Sequence, residues 1–427
     1  MQQMQQTEEI RDRVVLVGLN SPILKKTGNA DESSMEELSA LVETAGGEAV
    51  GIVLQNRDKP DPRTFIGEGK VAEVQLYVEN TEATMVIFDN DLSPSQMRVL
   101  TQLLGVQVLD RCGLILDIFA QRAQTREGRL QVELAQYQYL LPRLTGMWGH
   151  LVRQTASGGK SPIGTRGPGE TQLETDRRHI HRKIAKLQED LDEVRRVRGT
   201  QRERRMKNEI PVVAIVGYTN SGKSTLLNRL TDAGIPANNR LFDTLDTTSR
   251  LLAVSDTLEV VVSDTVGFIR KLPHQLVQAF KATLEELTYA DLLVHVIDVS
   301  NPEWQQQAQV VEALIGELGA AALPRINVFN KTDLIDGEIM PHGADIVSIS
   351  AKTGAGVELL LEMIGTRLDP GVRRVTLHLP YASSGLLDVL YREAKVESVD
   401  YGETIDVVAV CTPKVLGRMA AFTETDI

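Results

Sequence analysis

The stretch "PVVAIVGYTNSGKSTLLNRL", residues 211–230, restricts the fold more than any other part of the chain. The apolar run PVVAIV reads as a buried strand. It is followed by Gly217, four further residues, then Gly222, Lys223 and Ser224, where the helical pattern STLLNRL begins. Gly-x4-Gly-Lys-Ser between a strand and a helix is a phosphate-binding loop. Its backbone N–H groups and the helix N-terminus surround phosphate oxygens, the lysine meets the β/γ oxygens, and the hydroxyl binds Mg2+. The expected phosphate cradle therefore runs through Gly217, Tyr218, Thr219, Asn220, Ser221, Gly222, Lys223, Ser224 and Thr225. A second Gly-Lys-Ser, around Lys160, fails on spacing and context: Gln154 stands six residues before the lysine, no buried strand precedes it, and Pro162 follows.

Three later motifs follow in the order a guanine-nucleotide domain needs. "LEVVVSDTVGF" ends a strand with Asp264 and Gly267; the carboxylate is placed to hold Mg2+ through water and the Gly267 N–H to meet a γ-phosphate. "INVFNKTDLI" supplies Asn330, Lys331 and Asp333, an Asn-Lys-x-Asp whose carboxylate accepts from the ring N–H and exocyclic amine of guanine. "SISAK" places Ser350, Ala351 and Lys352 in a loop whose N–H groups approach the guanine oxygen. Between the phosphate loop and Asp264 lies "RLFDTLDTTSR", a switch-like segment containing Phe242, Asp243, Thr244 and Leu245. Thr244, Thr247 and Thr248 can each complete a Mg2+ shell, and the Phe-x-Thr-Leu context favours Thr244. The residue after Gly267 is Phe268, where many GTPases carry a water-orienting Gln, so slow unaided hydrolysis or a catalytic group from elsewhere is expected. Lys223, Ser224 and Gly267 are the expected catalytic set. Asn220 stands where potassium-stimulated GTPases carry Asn; K+ is thus a second candidate cofactor, beside the alternative that Asn220 only shapes the loop.

The rest of the chain divides by texture. Strand-like runs at 13–19, 49–54, 85–90 and 106–111 alternate with helical patterns, predicting a small α/β unit over 1–117 with a mostly parallel sheet. In "TREGRLQVELAQYQYLLPRL", Leu130, Leu134, Tyr137 and Leu141 fall at helical spacing. Over 172–207, Ile180, Ile184, Leu187, Leu191 and Val194 form a short heptad seam. Two such helices with a Gly-rich join predict an antiparallel hairpin over 118–208, with Lys160 and Arg166 at its tip. A GTP-binding α/β domain over 209–368 and a ferredoxin-like α+β module over 369–427 complete the expected order.

Charge sharpens the partner expectation. The chain carries −12 overall, yet residues 143–207 hold 16 Lys/Arg against 8 Asp/Glu. A basic segment on an acidic protein points to a polyanion partner, with a solvated helix face as the alternative. No apolar run reaches the ~18 residues of a membrane span. The polar N-terminus and two widely separated cysteines, Cys112 and Cys411, fit a cytoplasmic protein with free thiols. Nothing demands more than a monomer.

"DRCGLILDIFAQRAQTREGRLQVELAQYQYLLPRL", "GGKSPIGTRGPGETQLETDRR", "GYTNSGKSTLLNRL", "FDTLDTTSR", "DTVGFI" and "NKTD" together resemble the HflX family of translational-factor-class GTPases, in the Obg-HflX group. The resemblance spans about residues 12–368. It implies an N-terminal α/β subdomain, a long helical hairpin and a Ras-like GTPase domain, with a small C-terminal domain in some members. It further implies GTP and GDP as ligands and Mg2+ as cofactor. The expected partner is the large ribosomal subunit with its rRNA, rather than DNA or a membrane, and it stimulates hydrolysis. The implied role is dissociation or rescue of stalled or idle ribosomes under stress. A GTPase of ribosome assembly and an RNA-binding scaffold with structural GTP are the alternatives. A hydrophobic residue at Phe268 suits the family. "TLDTT" departs from it, since many relatives carry Pro at the Thr247 position. On this reading Lys160, Arg166, Arg177 and Arg178 contact RNA phosphates, and Trp148 and His150 either stack on bases or pack internally.

Overall fold

Short apolar strands alternating with capped helices build the first sheet. In the computed structural model, residues 11–26, 28–144, 168–207, 210–231, 241–242, 248–255, 258–272, 285–335, 341–368, 371 and 373–423 are described. Strands β1 (Arg13–Asn20), β2 (Glu48–Asn56), β3 (Met85–Phe88) and β4 (Gln107–Asp110) are all parallel, in the order β2-β1-β3-β4. Helices α1 (Glu32–Thr44), α2 (Glu68–Thr81) and α3 (Pro94–Leu104) connect them. Capping boxes start two of these helices, Asp31 with Ser34 and Ser93 with Gln96, each satisfying N–H groups that the first turn leaves open. Six consecutive residues of β1 are buried because helices cover both faces of the sheet.

Helix α4 (Arg111–Arg122) continues without a break through Ile118, where the sequence texture changes. Arg111 to Leu116, Ile118 and Phe119 are all buried. Asp117, Ala120 and Gln121 stay exposed, so the helix is buried over most of its surface rather than along a single stripe. Helix α5 (Arg126–Leu140) and the long α6 (Pro168–Lys207) form the expected pair. Leu134 of α5 meets Leu187 and Leu191 of α6, flanked by Leu130, Tyr137 and Ile184. The other side of α5, with Val132, Ala135 and Tyr139, packs into the core that contains α4.

The second sheet contains β5 (Val212–Gly217), β6 (Thr248–Ala253), β7 (Glu259–Asp264), β8 (Leu292–Asp298), β9 (Arg325–Asn330) and β10 (Ile346–Ser348). Its order is β10-β9-β8-β5-β7-β6, parallel except for β6 at the edge. Helices α7 (Lys223–Thr231) and α9 (Val357–Leu368) cover one face, and α8 (Trp304–Glu317) lies on the other. One apolar cluster runs from Leu16 and Met35 of the first unit through Val216 and Phe268 to Val311 of α8, so the two sheets share a core.

The C-terminal strands β11 (Arg373–Leu379), β12 (Lys395–Tyr401) and β13 (Ile405–Cys411) are antiparallel in the order β11-β13-β12, with α10 (Gly385–Glu393) and α11 (Pro413–Met419). This matches a ferredoxin-like module, and a bridge between Leu377 and Thr423 stands at the fourth-strand position among the described residues. Both cysteines are buried, and neither is in a disulfide. Among the described residues no helix is long and apolar enough to cross a membrane.

Candidate nucleotide-binding site

β5 lies between β8 and β7 at the centre of its sheet and delivers the phosphate loop at its C-terminal end. Lys223 is 5% exposed, and its ammonium donates to the Tyr218 carbonyl at 2.8 Å. Burial lowers its pKa to about 8, with nearby Asp264 opposing the shift. The Ser224 hydroxyl donates to Asp264 Oδ2 at 2.9 Å, which brings the loop and the end of β7 together. A hydroxyl and a carboxylate so placed are hard oxygen donors of the kind Mg2+ takes when phosphate and water fill its other positions. Among the described residues no group of three or more His, Cys, Asp or Glu side chains could hold a metal by itself.

The segment after Asp264 is tied back onto the loop. Phe268 N–H donates to the Gly217 carbonyl at 3.1 Å, and Thr219 N–H donates to the Phe268 carbonyl at 2.7 Å. Phe268 is 1% exposed and packs in the shared core. Gly267 is thereby pressed against Thr219 and Lys223: a Cβ there would stand 3.0 Å from Thr219 Cα and 3.1 Å from Lys223 Nζ. Asn220 is exposed and adopts φ +61°.

The guanine motifs close the other side. Asn330 Nδ2 donates to the Ser221 carbonyl at 2.8 Å, and its Oδ1 accepts from Ala351 N–H at 2.9 Å. One buried amide thus joins the phosphate loop, β9 and the Ser350–Lys352 loop. Gly222 at φ +96° makes room for it, since a Cβ would lie 2.2 Å from Asn330 Nδ2. The Ser350 hydroxyl donates to Asp333 Oδ1 at 2.7 Å, Lys331 pairs with Asp298 at 2.6 Å, and the Lys352 carbonyl accepts from Arg229 at 2.8 Å.

In the switch-like segment the Phe242 side chain is buried and packs edge-to-face on Phe119 of α4, with ring centroids 4.6 Å apart. Asp243, Thr244, Leu245 and Thr247 lie outside the described residues, as do Lys160, Arg166, Trp148 and His150. Arg177 and Arg178 are exposed on α6, and Arg178 pairs with Glu174 at 3.3 Å.

Sequence reasoning missed a polar group directly behind the loop: Glu37, Asp89, Arg111 and Lys271. The one available signal is Arg111, a cation at the start of helix α4 just before the apolar run of Leu114, Ile115 and Leu116.

Three family models match in succession: GTP-binding GTPase N-terminal over residues 32–120, GTP-binding GTPase Middle Region over 122–205, and 50S ribosome-binding GTPase over 212–331. The chain is 47% identical over 422 residues to GTPase HflX of Caldanaerobacter subterraneus subsp. tengcongensis, covering 98% of this chain and 95% of that protein. It is 45% identical over 380 residues to GTPase HflX of Escherichia coli, covering 87% of each. Among solved structures, the GTP-binding protein of Sulfolobus solfataricus in complex with GDP is 26% identical. That match covers 84% of this chain and 99% of the other, with a TM-score of 0.43.

Proposed function

The chain belongs to the HflX family of GTPases, and from that premise we propose that it binds the large ribosomal subunit and uses GTP turnover to dissociate or rescue stalled or idle ribosomes. The observation that carries this reading is the long basic helix α6, whose exposed Arg177 and Arg178 leave the acidic body of the protein a cationic arm for rRNA phosphates. The family model matched by residues 212–331 is described as a ribosome-binding GTPase, which supports the same partner.

Hydrolysis proceeds by in-line attack of water on the γ-phosphorus, with the bridging oxygen to the β-phosphate leaving. Lys223 and the backbone N–H groups of the loop and Gly267 oppose the charge that spreads over the transferring group. Mg2+, when bound, would supply charge neutralisation on the phosphates; Ser224 and, through water, Asp264 would hold it, with Thr244 as the switch ligand, and K+ would have its place beside Asn220. The buried Phe268 cannot orient water, so the unaided rate is low and the ribosome raises it.

The test is GTP hydrolysis with and without purified ribosomal subunits, alongside sedimentation of ribosomes incubated with the protein and GTP. Stimulation by large subunits and a shift of ribosomes to free subunits are expected; Lys223→Ala abolishes both. Unchanged turnover with subunits present would refute the reading.

A further inference from the structure

Asp298 ends β8 in register with Asn330, the last residue of β9. Its Oδ1 accepts from the Ser300 N–H at 3.0 Å and from the Ser300 hydroxyl at 2.6 Å. Its Oδ2 meets the Lys331 ammonium at 2.6 Å. The two side chains are 13% and 22% exposed, so this pair is better shielded than the solvated surface pairs that contribute little. Lys331 is also where the backbone turns out of β9 into the guanine motif. Its φ is +68°, a left-handed conformation that residues other than glycine rarely adopt. The 3-10 turn Thr332–Leu334 follows at once, and the Thr332 hydroxyl ties it to the Ile349 carbonyl at 3.0 Å. Asp333 stands in that turn, with the Ser350 hydroxyl on its Oδ1 at 2.7 Å.

A strained residue persists only where its surroundings hold it. Here a carboxylate, itself fixed by two bonds from Ser300, holds the Lys331 side chain from the neighbouring strand. The geometry points to Asp298 as a positioning residue that sets guanine specificity: it keeps Lys331 in the left-handed turn, and that turn aims the Asp333 carboxylate. The inference rests on the assignment of Asp333 to the ring N–H and exocyclic amine of guanine. A carboxylate selects for that amine only while its oxygens stand at hydrogen-bond distance and in line with the N–H groups. Loosening the turn therefore costs the base contacts first. The phosphate loop is built on β5 and α7, and its own bonds do not pass through Lys331. Asp298 acts through Lys331 and Asp333, and forms no bond to the base.

The test measures dissociation constants of GDP and of inosine diphosphate, which lacks only the exocyclic amine, on the full chain by competition with a fluorescent guanine nucleotide. Asp298→Asn keeps the side-chain shape and an oxygen for Ser300, but removes the charge that holds Lys331. It weakens GDP about tenfold and inosine diphosphate by no more than about threefold, so the preference for GDP falls. The single-turnover rate constant at saturating GTP stays within about twofold, which puts the loss in KM rather than kcat. Lys331→Met, which removes the charge from the other side, lowers the preference in the same way. Lys331→Gly keeps the preference, because glycine adopts the turn unaided, and Asp298→Asn added to it has no further effect. If Asp298→Asn does not fold, the contrast between Lys331→Met and Lys331→Gly decides. Asp333→Ala checks the underlying assignment separately: a preference unchanged in that variant removes the guanine reading and the inference with it. Where Asp333→Ala does lower the preference, three results overturn the role of Asp298. These are an unchanged preference in Asp298→Asn, equal losses for the two nucleotides, and the same loss in the Lys331→Gly background.

Discussion

Gly222→Ala tests how the phosphate loop and the guanine motif are joined. An L residue at φ +96° costs roughly 1–2 kcal/mol. Its Cβ would stand 2.2 Å from Asn330 Nδ2, so the amide must swing away. That movement breaks the bonds to Ser221 O at 2.8 Å and Ala351 N–H at 2.9 Å, each buried and worth about 1 kcal/mol. The expected loss of stability is about 3–4 kcal/mol. Trp304 reports it locally, since its ring lies 5.4 Å from that of Phe329, next to Asn330; the only other tryptophan, Trp148, is replaced by Phe in all variants. Urea unfolding followed by Trp304 fluorescence gives the free energies. Asn330→Ala alone costs about 2 kcal/mol through the same two bonds, and Gly222→Ala added to it then costs only the backbone strain of about 1–2 kcal/mol. A loss below about 1 kcal/mol for Gly222→Ala, or the same loss in both backgrounds, would refute the steric link.

GDP affinity should weaken as pH rises above about 8. Lys223 is half deprotonated there in the empty site, whereas phosphate favours its charged form, so Kd rises up to about tenfold per pH unit, read by fluorescent-nucleotide titration below about pH 9. A flat profile would contradict this. Burial lowers the pKa of His295 to about 4, helped by Arg325, from the ordinary 6.5. The unfolded chain then binds the proton first, so stability is full above about pH 6.5 and falls by about 3 kcal/mol as pH drops to about 4; His295→Gln should flatten that slope in urea denaturation. Leu187→Ala should cost about 2–3 kcal/mol of hairpin stability, since among the described residues its buried cluster is the small one with Leu134 and Leu191. Faster amide exchange confined to α5 and α6, with GDP affinity unchanged, is the expected result.

The arrangement of the candidate nucleotide site was legible because it is local: a strand, a turn of set length and a helix are contiguous in sequence, and each later motif sits at a strand end. The hairpin was legible because Leu130, Leu134 and Tyr137 on one helix and Ile184, Leu187 and Leu191 on the other fall at helical spacing. Helix α4 was not, since burial over most of its surface leaves little of the contrast that periodicity needs. The polar group of Glu37, Asp89, Arg111 and Lys271 joins residues up to 182 positions apart, and only the folded packing of two units brings them together. Phe242 illustrates the same limit: its motif places it in the nucleotide-binding segment, while its ring is committed to Phe119.

Helix α6 has a mechanical consequence. At 40 residues it is about 60 Å long. Its C-terminal end leads within five residues into β5, the strand that carries the phosphate loop, while its partner α5 is seated against α4 in the other unit. The two legs of the arm are therefore rooted in different bodies and clamped together partway along by Leu134, Leu187 and Leu191. Such a member works as a lever with its fulcrum at the clamp. The clamp lies near the middle of the shaft, about 30 Å from either end, so a tilt of about 5° moves the two ends by about 2–3 Å in opposite directions, and a displacement at the phosphate-loop end is handed to the far end at about the same size.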